Sequence, residues 1–217
     1  MTERVSIIDY GSGNLRSAAK AFERVIREED FDFEIIVTSD AAEIETAARL
    51  VLPGQGAFGD CISGLKSKPA LYQALLKSVK ETKKPFMGIC VGMQLLADKG
   101  FEHGEHQGLG WIGGNVRKMR PKDATLKIPH MGWNTIEVKQ SHPVLRHVKT
   151  GDHFYFVHSF MFESEDSSDI LATADYGGEF PAIVARDNVI GTQFHVEKSQ
   201  EAGLRLIKGF LEWEGFK

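Results

Sequence analysis

"MGICVGMQ", residues 87–94, decides the fold. It reads as the end of a buried strand that meets a sharp turn and runs into a helix, with Cys90 at the bend and a glycine two positions to either side. Small residues at those offsets let strand and helix pack closely while the central side chain sits in a strained turn. A joint of this kind belongs to a sheet whose strands alternate with helices, and the chain on the N-terminal side keeps that rhythm. "VSIIDYG" (5–11), "FEIIVTS" (33–39), "ARLVLPG" (48–54) and "PFMGIC" (85–90) read as strands. Between them, Asn14 to Arg27 carries Leu15, Ala18, Ala19, Phe22 and Ile26 on one helical face. "SDAAEIETA" (39–47) opens a helix with Asp40 and Glu43 in capping-box spacing, and "PALYQALLKSVKETKK" (69–84) starts one on Pro69.

Strands separated by helices imply an α/β fold with a mostly parallel central sheet flanked by helices. After Gly108 the pattern changes to strand-like runs with turn residues between them: "LGWIGGNVRKM", "MGWNTIEVK", "HFYFVHSFMF", "DILATADYG" and "FPAIVARDNVIGTQFHVE". The second half is therefore strand-rich. A closing helix is predicted from Ser199, its N-cap, to Trp213, burying Leu204, Ile207, Phe210 and Leu211. With 217 residues at 42% hydrophobic, no repeat and no low-complexity linker, residues 1–217 read as a single domain.

Composition narrows the partners. A formal net charge of -4 carries none of the basic excess that points to nucleic acid, and the two basic stretches, "KSVKETKK" and "VRKMRPKD", read as solvated surface. No run approaches the roughly 18 apolar residues of a membrane span, and "MTERVSIIDYG" lacks a secretory core, so a cytoplasmic protein is expected. Two cysteines, Cys61 and Cys90, make no disulfide framework and suit a reducing compartment where one thiol can act as a nucleophile.

Gly88-Ile89-Cys90-Val91-Gly92 has the spacing of a nucleophile elbow with cysteine in place of serine. A helix starting there favours the thiolate and frees the Val91 amide to donate to a developing oxyanion. The competing reading is a buried structural cysteine; the flanking glycines favour the elbow, and Cys61, without such context, is given no role. A thiol nucleophile needs a base and a group that orients it. In "TQFHVEKS", His195 and Glu197 are two apart at the end of an apolar run, which on a strand sends both side chains from one face.

These residues resemble a family. "GICVGMQ" and "FHVEKS" are similar to the two signatures of the class I (triad) glutamine amidotransferases, which have a flavodoxin-like α/β fold and a Cys, His, Glu triad. "DYGSGNLRS" (9–17), "LPGQGAFGD" (52–60), "IPHMGWN" (128–134) and "YFVHSF" (155–160) extend the resemblance over essentially the whole chain, specifically to the glutaminase subunits of imidazole glycerol phosphate synthases.

The resemblance implies that Cys90 attacks the side-chain amide of L-glutamine, that His195 passes the proton to leaving ammonia and that Glu197 orients His195. It implies an oxyanion site of backbone donors around Gly54 and Gln55 with the Val91 amide, and a glutamine pocket of Gly56, Gln94, Glu102, His158, Ser159 and Phe160. It also implies a partner, a (β/α)8-barrel cyclase that receives the ammonia and makes imidazole glycerol phosphate and an aminoimidazole carboxamide ribonucleotide in histidine biosynthesis. Asn14, Met131, Trp133, Asn134 and Lys198 match positions that face the barrel, with Trp133 over the ammonia exit. No metal or cofactor is implied. The one departure is Val196, where the family commonly has proline, which leaves the triad strand slightly less pre-organised. An ammonia-supplying paralogue for another pathway and a free thiol amidohydrolase are the alternatives; the second has no need for Gln94 or for "IPHMGWN".

Overall fold

The structure, a computed structural model, describes residues 2–215. In the first half, β1 (Glu3–Ile8), α1 (Leu15–Glu28), β2 (Phe33–Thr38), α2 (Ala41–Thr46) and β3 (Arg49–Gly54) lead to α3 (Phe58–Lys66), α4 (Pro69–Leu76), β4 (Phe86–Cys90) and α5 (Val91–Gln94). Four short strands follow, β5 (Lys99–Gly100), β6 (His106–Gln107), β7 (Gly114–Lys118) and β8 (His130–Thr135), then β9 (Glu137–Val138), β10 (His153–His158) and β11 (Phe160–Ser164). β12 (Ile170–Asp175), β13 (Glu179–Arg186), β14 (Val189–Thr192) and α6 (Gln200–Glu212) complete the chain.

An eight-stranded sheet in the order β2-β1-β3-β4-β14-β13-β12-β9 forms the centre. Its first five strands are parallel neighbours, and β13, β12 and β9 extend it antiparallel. β2 lies on one side of β1 and β3 on the other, so right-handed crossovers put α1 and α2 on opposite faces. α1 packs against α6, with Phe22 meeting Phe210 edge-on at 6.2 Å, and α2 packs against α4. β3 and β4 are buried along their whole length because both faces are covered, which is why they read as unbroken apolar runs.

Several local expectations change. The "AFGDCISGLK" segment forms α3, a helix the apolar pattern did not single out, and it buries Cys61, Ile62 and Leu65 against its neighbours. Helix α4 ends at Leu76 and continues as a π-turn over Lys77–Glu81. Asp40 does cap α2, accepting from the Ala42 N–H at 2.7 Å. Ser199 does not cap α6: its hydroxyl donates to the His195 carbonyl at 2.6 Å and accepts from the Tyr155 N–H at 3.0 Å. "HFYFVHSFMF" is two strands in two sheets. β10 pairs with β8, while β11 joins β7, β5 and β6, and Ser159 is the break between them.

Candidate active site

Parallel strands end together, and the loops at their carboxyl ends meet at one edge of the sheet. Those loops hold Ser12 and Asn14 after β1, Gln55 and Gly56 after β3, Cys90 at the end of β4 and His195 beyond β14. In the β3–β4 register Gly54 lies opposite Cys90, so the "PGQG" loop leaves the sheet beside the thiol.

Cys90 has φ 56° and ψ -112°, a left-handed conformation that costs a non-glycine residue of order 1–3 kcal/mol. The fold enforces it by close approach. A Cβ on Gly88 would lie 2.5 Å from the Gly92 carbonyl oxygen, and one on Gly92 would collide with the Leu52 carbonyl oxygen of β3. The two glycines flanking the thiol are therefore contact surfaces between the turn and the sheet. The following helix is a single turn, so its dipole is weak; its useful product is the Val91 amide, an N1 donor with no partner inside the helix.

His195 and Glu197 come together for a different reason from the one their spacing suggests. β14 stops at Thr192, His195 is extended and Val196–Lys198 is a 3-10 turn, and that turn swings Glu197 under the imidazole. Glu197 Oε1 accepts from His195 Nδ1 at 2.8 Å, which leaves Nε2 for the sulfur. Both side chains are almost fully buried. Glu197 Oε2 has no hydrogen-bond partner among the described residues, so the carboxylate acts on His195 alone. Burial lowers the His195 pKa, but hydrogen bonds to Cys90 and Glu197 and their charges outweigh it and raise the pKa to about 9. The backbone of His195 is fixed to β10: its N–H donates to the Tyr155 carbonyl at 3.0 Å, and Ser199 bridges the same pair.

A cavity of about 260 Å³ opens over the sulfur, lined by Gln55, Gly56, Cys90, Val91, Gln94, Glu102, Val157 to Phe160, His195 and Lys198, with Pro129 at its wall. It brings together the thiol and imidazole of the triad and every residue named for the glutamine pocket. Glu102 Oε2 accepts from the Phe58 N–H at 2.8 Å, at the start of α3. Gln94 is buried and donates to the Phe160 carbonyl at 3.0 Å and to Gln193 Oε1 at 3.1 Å. Gln193 in turn points its amide at Cys90 Sγ, 3.9 Å away. Sequence reasoning missed Gln193, although its position two residues before His195 was the available signal.

The loop after β3, which carries Gln55 and Gly56 at the cavity wall, is tied to the loop after β1. The Gln55 N–H donates to Ser12 Oγ at 3.1 Å, and the Ser12 hydroxyl donates to the Gln55 carbonyl at 2.6 Å. The Cys61 thiol, whose pKa burial pushes up, also donates to that carbonyl at 3.4 Å. Cys61, given no role from the sequence, is thus a third hold on the Gln55 backbone. Positive φ belongs to Gly56 (101°); Gly54 is required for close approach, since a Cβ there would sit 2.5 Å from the Gly92 nitrogen.

Of the residues matched to a docking face, Met131 is 63% and Trp133 48% exposed; with Val37 of β2 they are the exposed large apolar side chains among the described residues. Lys198 is exposed, with its ammonium 5.9 Å from the Tyr155 ring centroid, and Trp133 meets that ring edge-on at 5.9 Å. Asn14 is half-buried at the start of α1, and Asn134 donates to the Asp175 carbonyl at 2.8 Å. No cluster of three or more His, Cys, Asp or Glu placed for a metal occurs among the described residues, and no helix there is long and apolar enough to cross a membrane.

Known proteins bear on this geometry in two ways. The solved structures of a putative GMP synthase component from Thermoplasma acidophilum and of a glutamine amidotransferase from Thermotoga maritima align with TM-scores of 0.68 and 0.64. They cover 97% of this chain each, and 93% and 83% of their own chains, at 20% and 17% identity, so the fold is shared. In sequence, imidazole glycerol phosphate synthase subunit HisH of Brucella abortus (strain 2308) is 55% identical over 214 residues, 97% of this chain and 99% of that protein. The proteins of the same name from Agrobacterium fabrum and Rhodospirillum rubrum are 51% and 53% identical, again over 97% of this chain and 99% of theirs. The sequence model of the family described as glutamine amidotransferase class-I matches residues 6–212, and with the thiol elbow and the shared fold it follows that this chain belongs to the class-I glutamine amidotransferase family.

Proposed function

We infer that the chain is the glutaminase subunit of an imidazole glycerol phosphate synthase: it hydrolyses L-glutamine and hands the ammonia to a (β/α)8-barrel cyclase in histidine biosynthesis, in the cytoplasm. The observation that carries the chemistry is the buried Cys90–His195–Glu197 constellation at the floor of a small cavity, with Cys90 held at positive φ. Full-length relatives of that name, at 51 to 55% identity, support the pathway.

In this reading the Cys90 thiolate attacks the side-chain amide carbon of glutamine, and the C–N bond breaks as His195 delivers a proton to the departing ammonia. A water then attacks the thioester carbonyl, giving its proton to His195 and displacing the thiolate, and glutamate leaves. Glu197 keeps the proton of the ring on Nδ1 and stabilises the imidazolium. The oxyanion of each tetrahedral intermediate is held by the Val91 amide and the loop amides at Gly54 and Gln55. Gly56, Gln94, Glu102 and the His158-Ser159-Phe160 segment hold the amino-acid end of the substrate in the cavity. Because the Gln55 amide is bound to Ser12 at rest, the lone chain is a poor glutaminase until the loop turns.

Met131 and Trp133, with Asn14, Asn134 and Lys198 around them, are the docking face for the barrel. Two exposed apolar side chains on one short strand match the anchor residues of protein interfaces. The test is a Cys90→Ala chain assembled with the barrel cyclase: glutamine-dependent synthesis should vanish while synthesis from added ammonium salt persists. Loss of both activities in a complex that still assembles would reject the division of labour.

A further inference from the structure

Beneath the exposed strand β8 lies a buried polar path that the glutaminase chemistry does not account for. In the β8–β10 register His130 is directly opposite His158, and Met131 and Trp133 follow His130 on the same strand. His158 Nδ1 is 2.9 Å from the Phe160 carbonyl, His130 Nδ1 is 3.0 Å from His158 Nε2, and Asn134 Nδ2 is 3.4 Å from His130 Nε2. The same Phe160 carbonyl accepts from Gln94, which donates also to Gln193, the neighbour of the Cys90 sulfur.

The proton positions in this path are forced. A carbonyl can only accept, so His158 carries its proton on Nδ1 and offers a lone pair at Nε2. His130 must then donate from Nδ1, which leaves its Nε2 as the acceptor for Asn134. The Asn134 amide cannot be turned round, because its oxygen accepts from the Thr135 N–H at 2.8 Å while its nitrogen donates to the Asp175 carbonyl. A proton added to His158 would set two donors against each other at 3.0 Å, one added to His130 would do the same against Asn134, and burial independently holds His158 and His130 neutral, with pKa values near 3 and 4. His130 is also clasped between the rings of Tyr176 and Phe156, at 4.1 and 4.9 Å between centroids, so it follows its strand rather than swinging free.

We propose that Asn134, His130 and His158 form an uncharged, one-directional hydrogen-bond relay that couples occupancy of the β8 face to the Phe160 carbonyl and so to the glutamine subsite. His130 and His158 are positioning residues in it. A partner that presses on Met131 and Trp133 shifts β8, and the shift reaches the cavity through three hydrogen bonds and one shared carbonyl. The proposal rests on the docking reading above and adds to it the route of coupling. It differs from the oxyanion loop, which lies on the β3 side of the sulfur.

Two measurements test it in the complex with the barrel. In ¹⁵N-histidine-labelled chain, ring correlations should show His130 and His158 both as the neutral Nδ1–H tautomer, and both should move when the barrel is added. An Nε2–H tautomer or an imidazolium at either position near pH 7 overturns the relay without any substitution. In the second, His130→Phe keeps the ring stack and removes both hydrogen bonds, whereas His130→Asn restores the donor to His158. The ratio of glutamine turnover with the barrel and its ligand to turnover alone should fall about 5-fold or more in His130→Phe, the low end of coupling between sites, and recover in part in His130→Asn. Ammonium-dependent synthesis should stay at the wild-type level in both variants, which reports an intact cyclase, and co-elution of each variant with the barrel reports intact docking. A wild-type ratio in His130→Phe refutes the relay, whereas a wild-type chain that the barrel does not stimulate at all refutes the docking reading instead.

Discussion

Ser12→Ala removes the hydroxyl that makes two hydrogen bonds to the backbone of one residue, donating to the Gln55 carbonyl at 2.6 Å and accepting from the Gln55 N–H at 3.1 Å. Each such bond contributes about 0.5–1.5 kcal/mol net, so the resting orientation of the loop loses about 1–3 kcal/mol, equivalent to a shift of about 5- to 150-fold towards other orientations. Gln55 is exposed, so its freed amide pays little for desolvation and the lower half of that range applies. The Cys61 thiol still holds the carbonyl, which also trims the effect. The open state is the one with free amides, and it is the state the barrel is inferred to select. Hydrolysis by the lone chain should therefore rise about 5-fold or more, while the fully stimulated rate of the complex stays put, so the stimulation ratio falls by the same factor. Glutamate release by purified chain, with and without barrel and ligand, measures both. Ser12→Thr keeps the hydroxyl and should behave as wild type. Unchanged or lower lone-chain turnover in Ser12→Ala, at an unchanged melting temperature, would refute the idea that this contact restrains the loop.

His195 has a folded pKa of about 9, above its unfolded value, so its contribution to stability is complete below about pH 6.5 and is lost as pH rises through about 9; melts from pH 7 to 10 should show this loss, smaller in Glu197→Gln. His130, His142 and His158 have folded values of about 4, 4 and 3, so their contribution is complete above about pH 6.5 and falls by up to about 1.4 kcal/mol per pH unit each as acid is added; a flat stability from pH 6.5 to 4.5 would contradict their neutral burial. Gly92→Ala drives a methyl into the Leu52 carbonyl and should yield little folded protein, whereas Ala at the open, exposed Gly151 should cost only about 1 kcal/mol or so for its positive φ, as read by yield and melting. Val196→Pro should alter stability by no more than about 1 kcal/mol and leave lone-chain glutaminase nearly unchanged, and a large gain in turnover would show that valine loosens the triad.

The parallel half of the fold was legible because its strands are buried on both faces and its helices on one, and those two conditions write different periodicities into the chain. What escaped was decided by contacts between distant segments. Helix α3 carries Gly59 and Gly64, which weaken a helical signal; Gly59 is small because the His106 ring of β6 lies where a Cβ would be, only 2.6 Å away. The break at Ser159 is likewise invisible locally, since "HFYFVHSFMF" is uniformly strand-like and only the presence of two separate partners, β8 and β7, divides it. Ser199 has the composition of an N-cap, yet its hydroxyl is drawn to the His195 carbonyl and the Tyr155 N–H, where it ties the His195 backbone to β10.

The site carries the same lesson at finer grain, and Val196 is where it matters most. Read as strand residues, His195 and Glu197 share a face and Val196 costs rigidity. In the structure the three residues cross from an extended residue into a 3-10 turn, with Val196 at the first turn position. Proline suits that position because its missing N–H would have no partner inside the turn and because the residue before it must be extended, as His195 is at φ -86° and ψ 104°. Valine meets the same demands by other means. Its side chain is buried, its carbonyl accepts from the Ser199 N–H at 3.2 Å, and Gly203 of α6 leaves no room between that carbonyl and the helix. The turn is thus held from outside by β10, Ser199 and α6, so the ring constraint of proline is redundant for aligning Glu197 with His195. The 2.8 Å contact between them, with valine in place, is the direct expression of that redundancy.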